Sequence, residues 1–463
     1  MDRIINERID EGIDERGARN ERNERNQEKN QMDLKERERT QDNQEKDQDK
    51  NQEKDQGRVY GGDGGDGGVE GVEGVEGVEE RIGLCALNRI FGFEPRVGAA
   101  LVECFGGAAE VFRHPSREIV DALVGFGRVR YASQITWSAF ESAAIELEGL
   151  RAEGCGFVGI GEEGYPALLK ECEDPPLGLY FRGKSTPGEV FGGAPHIAVV
   201  GTRDLTPYGR EWCRLIVEAL SRSSVKPLIV SGLAIGVDIT AHLAALDSGL
   251  PTVAVMATGI DSIYPHRNRQ AGERIAATEG CALVTDYPPG TVAARINFLR
   301  RNRIIAGICR ATVLVESRIK GGGMMTARLA SSYDRDVFAL PGRIDDVASQ
   351  GCNLLIRQNI AEPIGDLGEL VEKLGGRTRT ALKTDFLADV EEEYVGRMDD
   401  GDLAVLLKVA GTVKSCRGIS VDEICAKLDL TYSRTRELTT ILECDGFISI
   451  DLLQHCSARM KLR

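Results

Sequence analysis

No apolar run in this chain approaches the roughly 18 residues that a membrane-spanning helix needs, which argues against an integral membrane protein. The first residues, MDRIINERID, carry no apolar h-region, so no secretory leader is expected and the cytoplasm is the expected compartment. The sequence has no C-x-x-C and no paired histidine spacing; its 12 cysteines stand singly from Cys85 to Cys456 and read as reduced thiols, mostly small core residues. None of the loops GTRD, SGLAIG and KGGGMMTA reads G-x-G-x-x-G or G-x-x-x-x-G-K-[ST], which argues against NAD or ATP bound there. Without G-x-S-x-G or H-E-x-x-H there is no recognisable catalytic or metal-binding set, and no cofactor is expected. Ser231 at a strand end has no partnered base. Asp238 and His242, four residues apart, read as a first-turn helical acid and a histidine lacking a second metal ligand.

The net charge is −15, and the first eighty residues carry −11 of it, which leaves −4 for the remainder. That remainder is nearly neutral, so a basic face on it is compatible with the acidic total. Residues 1–57 consist of near-repeats such as NQEKDQDKNQEKDQ, and 61–80 read GGDGGDGGVEGVEGVEGVEE. Neither offers an apolar face whose burial would offset the entropy of ordering, so 1–80 is expected to be a disordered acidic extension ending in a flexible tether.

Globular composition begins at Arg81. Over 81–150, short helical periodicities broken by GF and GG predict a small helical domain, of the sterile-alpha-motif or helix-hairpin-helix kind; a nucleic-acid-binding role and a plain packing role fit it equally. From 151 to 368, short apolar runs ending in Gly or Ser alternate with amphipathic stretches: HIAVVGTRD, PLIVSGLAIGVD, PTVAVMATGID, CALVTDYPPG, ATVLVESRIKGGG and DVFALPG. That alternation predicts an α/β core, an extended Rossmann-like parallel sheet covered on both faces. A polar linker is expected over 369–400. The segment 401–463, with three helix signals and a terminal FISID, predicts a winged-helix-like domain.

Three strand-end loops carry the candidate site. GTRD supplies Gly201, Thr202 and Arg203; SGLAIG supplies Gly232 and Gly236; KGGGMMTA supplies Lys320, Gly322, Gly323 and Thr326. Glycines let backbone N–H groups approach an oxyanion, and helix N-termini add positive potential, so together the loops form a phosphate cradle. In FLRRNRIIAG, Arg300, Arg301 and Arg303 precede Ile304, Ile305 and Ile308, an arrangement that puts the guanidiniums along the cradle's rim. A row of guanidiniums suits a polyanion better than a single small nucleotide. The same arginines equally suit ion pairs with Asp286, Glu316 or other local carboxylates.

With GTRD, VSGLAIGVDITAH, GIDSIYPHRN, FLRRNRIIAG and ESRIKGGGMMTA standing in this order, the chain resembles the DNA-processing protein A (DprA, or Smf) family over roughly 82–365 and, weakly, in its C-terminal domain. The resemblance implies a non-enzymatic protein that needs no cofactor. Such a protein binds and protects single-stranded DNA, loads the RecA recombinase during natural transformation, and forms a homodimer through its α/β core. It implies a phosphate contact for Arg203, and it maps the family's arginine–asparagine signature onto Phe298, Arg301, Asn302 and Arg303, with Phe298 meeting a base or sugar. Its lysine–glycine loop falls on Lys320, Gly321, Gly322, Gly323, Thr326 and Ala327. Leu299 stands where the family usually has proline, Gly322–Gly323 where it has glycine–serine, and Cys309 where it often has serine.

Two other functions compete. A phosphoribohydrolase-like nucleotide hydrolase would require a glutamate in the lysine–glycine loop, where Arg328 stands instead. A regulator acting through the winged helix would have to rely on few cations, chiefly Lys427, Arg434 and Arg436.

Overall fold

The computed structural model describes residues 75–377, 386–416 and 418–459, so nearly all of the acidic extension expected over 1–80 lies outside the described residues. The first element, α1 (Val75–Phe91), begins inside the expected tether. Four more helices follow: α2 (Pro95–Phe105), α3 (Ala108–Arg113), α4 (Ser116–Gly125) and α5 (Trp137–Ala152). The tether's last acids find partners on them. Glu80 accepts from the Ala108 and Ala109 amides at 2.7 and 3.1 Å, the first free N–H groups of α3, and Glu79 pairs with Arg113. A carboxylate at a helix N-terminus satisfies orphan donors and meets the positive end of the helix dipole, which ties α1 to α3.

Nine strands form one sheet: β1 (Cys155–Gly159), β2 (Gly178–Gly183), β3 (His196–Val200), β4 (Leu228–Ser231), β5 (Thr252–Val255), β6 (Ala282–Thr285), β7 (Ala311–Leu314), β8 (Asp336–Ala339) and β9 (Glu362–Pro363). Their spatial order is β1-β2-β6-β5-β4-β3-β7-β8-β9. The seven strands from β6 to β9 are parallel, and β2 and β1 continue the sheet antiparallel at one edge. The expected α/β class and parallel core are therefore present, with the order reversing beside β3.

Successive residues of a strand face opposite sides. Ile197 and Val199 join Ile229 and Val313 in one core, and Ala198 and Val200 join Val230 and Val253 in another. Both faces are covered, which is why these strands read as unbroken apolar runs. Four helices start from the carboxyl ends of the parallel strands: α8 (Pro207–Ser221), α9 (Val237–Asp247), α11 (Arg295–Ile308) and α12 (Gly322–Ser332), numbered after the short α6 (Ala167–Lys170) and α7 (Pro187–Phe191), with α10 (Arg269–Ala276) between α9 and α11. The core of α1–α5 runs on into the sheet through Phe157, Tyr180, Ala254 and Leu283.

Beyond β8 come α13 (Gln350–Arg357) and α14 (Leu367–Lys373), then α15 (Phe386–Tyr394), α16 (Asp400–Ser415), α17 (Val421–Leu428) and α18 (Tyr432–Cys444). A small antiparallel sheet of β10 (Ile419–Ser420), β12 (His455–Ala458) and β11 (Ile448–Ile450) shares one core with the last four helices. Much of the span expected as a linker is helical. Leu370, Val371 and Leu374 pack into the α/β core, and Phe386, Val390 and Tyr394 pack into the C-terminal core. The i, i+4, i+8 spacing of the last three was hidden by the acids between them.

His242, fully buried on α9, shows how these layers lock together. Thr252 Oγ1 donates to the Ile229 carbonyl at 2.8 Å, so the His242 Nδ1 hydrogen must donate to Thr252 Oγ1 at 2.7 Å. Nε2 is left as a buried acceptor with no partner. Burial, reinforced by the Arg301 charge, pushes the imidazole down to about 3. A histidine held neutral in the fold contributes stability above its ordinary pKa, and loses it as pH falls and the unfolded chain takes up the proton. Between pH 7 and pH 5 this single group is expected to cost about 2 kcal/mol of stability. Urea unfolding at the two pH values is expected to show that loss in the parent and a flatter profile in His242→Leu.

Candidate nucleic-acid interface

The loops after β3 and β7 meet at the carboxyl edge where the strand order reverses. The Thr202 amide donates to the Glu316 carbonyl at 2.7 Å, and the Val237 amide donates to the Thr202 carbonyl at 3.1 Å. Gly201 and Gly323 lie against each other so closely that a side chain on Gly323 would meet the Gly201 backbone at 2.9 Å. In an open α/β sheet this crevice is the usual ligand position. Here protein fills it.

The filling extends to the helix N-termini. Glu316 is 0% exposed and accepts from both the amide and the hydroxyl of Thr206, the residue that caps α8. Burial raises its pKa, and the Thr206 hydrogen bonds oppose that. At the start of α9, Asp238 accepts from the Ala234 amide at 3.3 Å and faces Ser231 and Gly232. Its carboxyl is raised by burial against the pull of Arg301. Each acid occupies the place at which an anion would meet a helix N-terminus. Ser231 donates to the Val199 carbonyl at 2.7 Å and is buried in the sheet.

The arginines expected along the rim are turned inward. Arg301 is 3% exposed; its guanidinium donates to the Gly232 carbonyl at 2.7 Å and to the Val255 carbonyl, with Asp238 alongside. Burial pulls its pKa down to about 10, with Asp238 opposing, which leaves it charged at neutral pH. Gly232 has to be glycine because that guanidinium lies 2.4 Å from the position of a Cβ. Gly236 is glycine for backbone reasons, with φ of +88°. Arg303, also buried, donates to Asp286 Oδ2 at 2.7 Å and to the Asp174 carbonyl, the ion pair that the sequence left open. Arg300 reaches back to the Gly92 and Phe93 carbonyls. The rim arrangement fails because α11 is packed between the sheet, α6 and α12 and is buried from Arg301 to Ile308, so only its first turn faces outward. Asn302 and Thr326 are buried as well.

Of the residues nominated from the sequence, Arg203 and Lys320 stay exposed beside Thr202, Gly201, Gly322 and Gly323. The Arg203 guanidinium lies 5.0 Å from the ring centroid of Phe298 on the first turn of α11, and Tyr264 packs against the same ring at 5.6 Å. Sequence reasoning gave no role to Tyr264, although GIDSIYPHRN carries an aromatic beside basic residues. Arg203, Arg267, Arg269, Arg295 and Lys320 are exposed at this edge and have no ion-pair partner among the described residues. The nearby acids are engaged: Asp204 with Arg318 at 3.1 Å, Asp345 with Arg343 at 2.9 Å, and Asp261 with the Gly290 amide. The edge therefore combines an excess of cation with a surface aromatic stack.

Residues 156–375 match the family model described as DNA recombination-mediator protein A. A putative DNA processing protein DprA of Mycobacterium tuberculosis is 33% identical over 333 residues, covering 67% of this chain and 81% of that protein. The chain belongs to the DprA/Smf family. Protein Smf of Synechocystis is 43% identical over 229 residues, covering 50% of this chain and 56% of its relative, so the chain spans little more than half of that protein. Among solved structures, the DprA of Streptococcus pneumoniae is 25% identical with a TM-score of 0.48, covering 64% of this chain and 95% of that one.

Within this family member the inner and outer arginines differ in what their removal does. Arg301→Ala strands the buried Asp238 carboxylate and two carbonyls, and is expected to cost about 3–5 kcal/mol. Arg203→Ala removes an exposed side chain and is expected to stay within about 0.5 kcal/mol of the parent. Chemical denaturation of the two variants checks the contrast.

Proposed function

We propose that this chain is a single-strand DNA-binding recombination mediator that works by binding and protecting a strand without covalent chemistry. The observation that carries this is the Arg203–Phe298–Tyr264 stack set among cations that have no ion-pair partner among the described residues. Cations give sequence-independent affinity for phosphates, and aromatic faces accept any base. Duplex DNA keeps its bases stacked on one another and out of reach, so the same surface favours single strands. Membership of the DNA recombination-mediator family supports the reading. In this proposal Gly201, Thr202, Arg203, Phe298, Lys320, Gly322 and Gly323 form the contact edge. Gly232, Gly236, Arg301, Asn302, Arg303 and Thr326 hold it in shape. The protein acts in the cytoplasm as a homodimer and hands the coated strand to RecA during natural transformation.

Fluorescence anisotropy with labelled single-stranded and duplex oligonucleotides at two salt concentrations tests this. The parent is expected to prefer single strands. Arg203→Ala/Lys320→Ala is expected to bind at least about 100-fold more weakly, because each of the two charge-assisted phosphate contacts contributes about 1.5–3 kcal/mol. Its salt slope should flatten by about 1.4, the contribution of two neutralised phosphates on a single strand. An unchanged slope would remove both residues from the interface.

A further inference from the structure

The first two turns of α11 carry two aromatic–guanidinium pairs, and the proposed interface uses one. The second joins Arg300 to Phe93 in the turn between α1 and α2. The guanidinium lies 4.0 Å from the ring centroid and also donates to the Gly92 carbonyl and, at 3.1 Å, to the Phe93 carbonyl. The ring is therefore fixed, yet Phe93 is 58% exposed. An apolar side chain left this open to water forgoes part of its burial energy. Between the two pairs, Ile296 and Leu299 are also exposed, and Arg295 on the same turn has no ion-pair partner among the described residues. Glu94, the acid next to Phe93, is paired with Arg128 at 2.8 Å and Arg130 at 2.9 Å.

We infer that a strand bound at the Arg203–Phe298–Tyr264 stack continues across the first turn of α11 onto Phe93, so that the helical domain supplies a second platform for base stacking. The inference rests on the proposed single-strand binding and adds to it a residue outside the α/β core. An aromatic ring backed by a guanidinium is a sequence-tolerant seat for a base. Because the ring is already immobilised by Arg300, a base meets it without further loss of side-chain freedom. The occupant is identified by continuity with the phosphate-facing edge and by the cations around it.

The test uses Phe93→Trp and Phe93→Ala in the full chain, with oligothymidylates of about six and about twenty nucleotides, short and long relative to the length that one binding surface accommodates. A tryptophan keeps the contact with Arg300 and reports stacking through its fluorescence, after the signal of the parent is subtracted. The introduced indole is expected to be strongly quenched by the long oligonucleotide and little by the short one. Phe93→Ala is expected to weaken long-oligonucleotide binding roughly 5- to 100-fold, the equivalent of one stacked base, and to leave short-oligonucleotide binding unchanged. Long-oligonucleotide binding seen by anisotropy with an unresponsive indole overturns the inference and leaves the core interface standing. Equal weakening for both lengths also overturns it, because Phe93 then acts only by seating the helical domain. An indole that responds to protein concentration and not to DNA assigns the ring to a contact between copies. A parent that binds neither oligonucleotide removes the proposed function itself.

Discussion

The Arg301 guanidinium is the constraint from which the site's shape follows. It is a cation placed under the carboxyl ends of β4 and β5, and it is tolerable there only because the Gly232 and Val255 carbonyls and the Asp238 carboxylate surround it. Each partner fixes something in turn. The Gly232 carbonyl sets the path of the SGLAIG loop, and the closeness of the guanidinium forbids a side chain there. Asp238 gathers the amide of that loop at the start of α9. With α11 seated by this contact, its first turn projects from the sheet edge and brings Phe298 under Arg203.

A second consequence concerns where positive potential resides. The α8 and α9 N-termini, which in a nucleotide-binding sheet would face a phosphate, face Glu316 and Asp238. The backbone donors are thereby committed to the protein's own carboxylates. What remains for a ligand is a set of long cationic side chains and two exposed aromatic rings spread along an edge. A row of separate cations and rings suits a chain of phosphates that can drape over it better than one small nucleotide. The arrangement follows from the same acids that make the loops rigid.

The alternation of apolar runs and amphipathic stretches made the parallel sheet legible, and the glycines at strand ends mark its carboxyl edge. The role of the glycines was less legible. A glycine permits close approach without saying of what, and at Gly232, Gly201 and Gly323 the approaching group is protein. FLRRNR was misplaced for a related reason. Charge usually lies outside, so consecutive arginines read as a rim, whereas α11 is enclosed and its charges are matched by Asp238 and Asp286, distant in sequence. No local pattern reports such pairings. The span expected to be a linker misled in the opposite way, since dense acids outweighed Phe386, Val390 and Tyr394 in any windowed view.

Arg300, Arg301 and Arg303 illustrate how one short motif joins three parts of the chain. Arg300 grips the turn between α1 and α2, Arg301 the loop after β4, and Arg303 Asp286 after β6 together with Asp174 ahead of β2. All three project from one helix, so the helical domain, the β4 loop and the β6 loop are each tied to α11. Beside Phe298 the start of the helix bears Leu299 and Ile296, the exposed apolar surface between the two aromatic–guanidinium pairs. The geometry of that part of α11 is thus set by packing on the inner side of the helix.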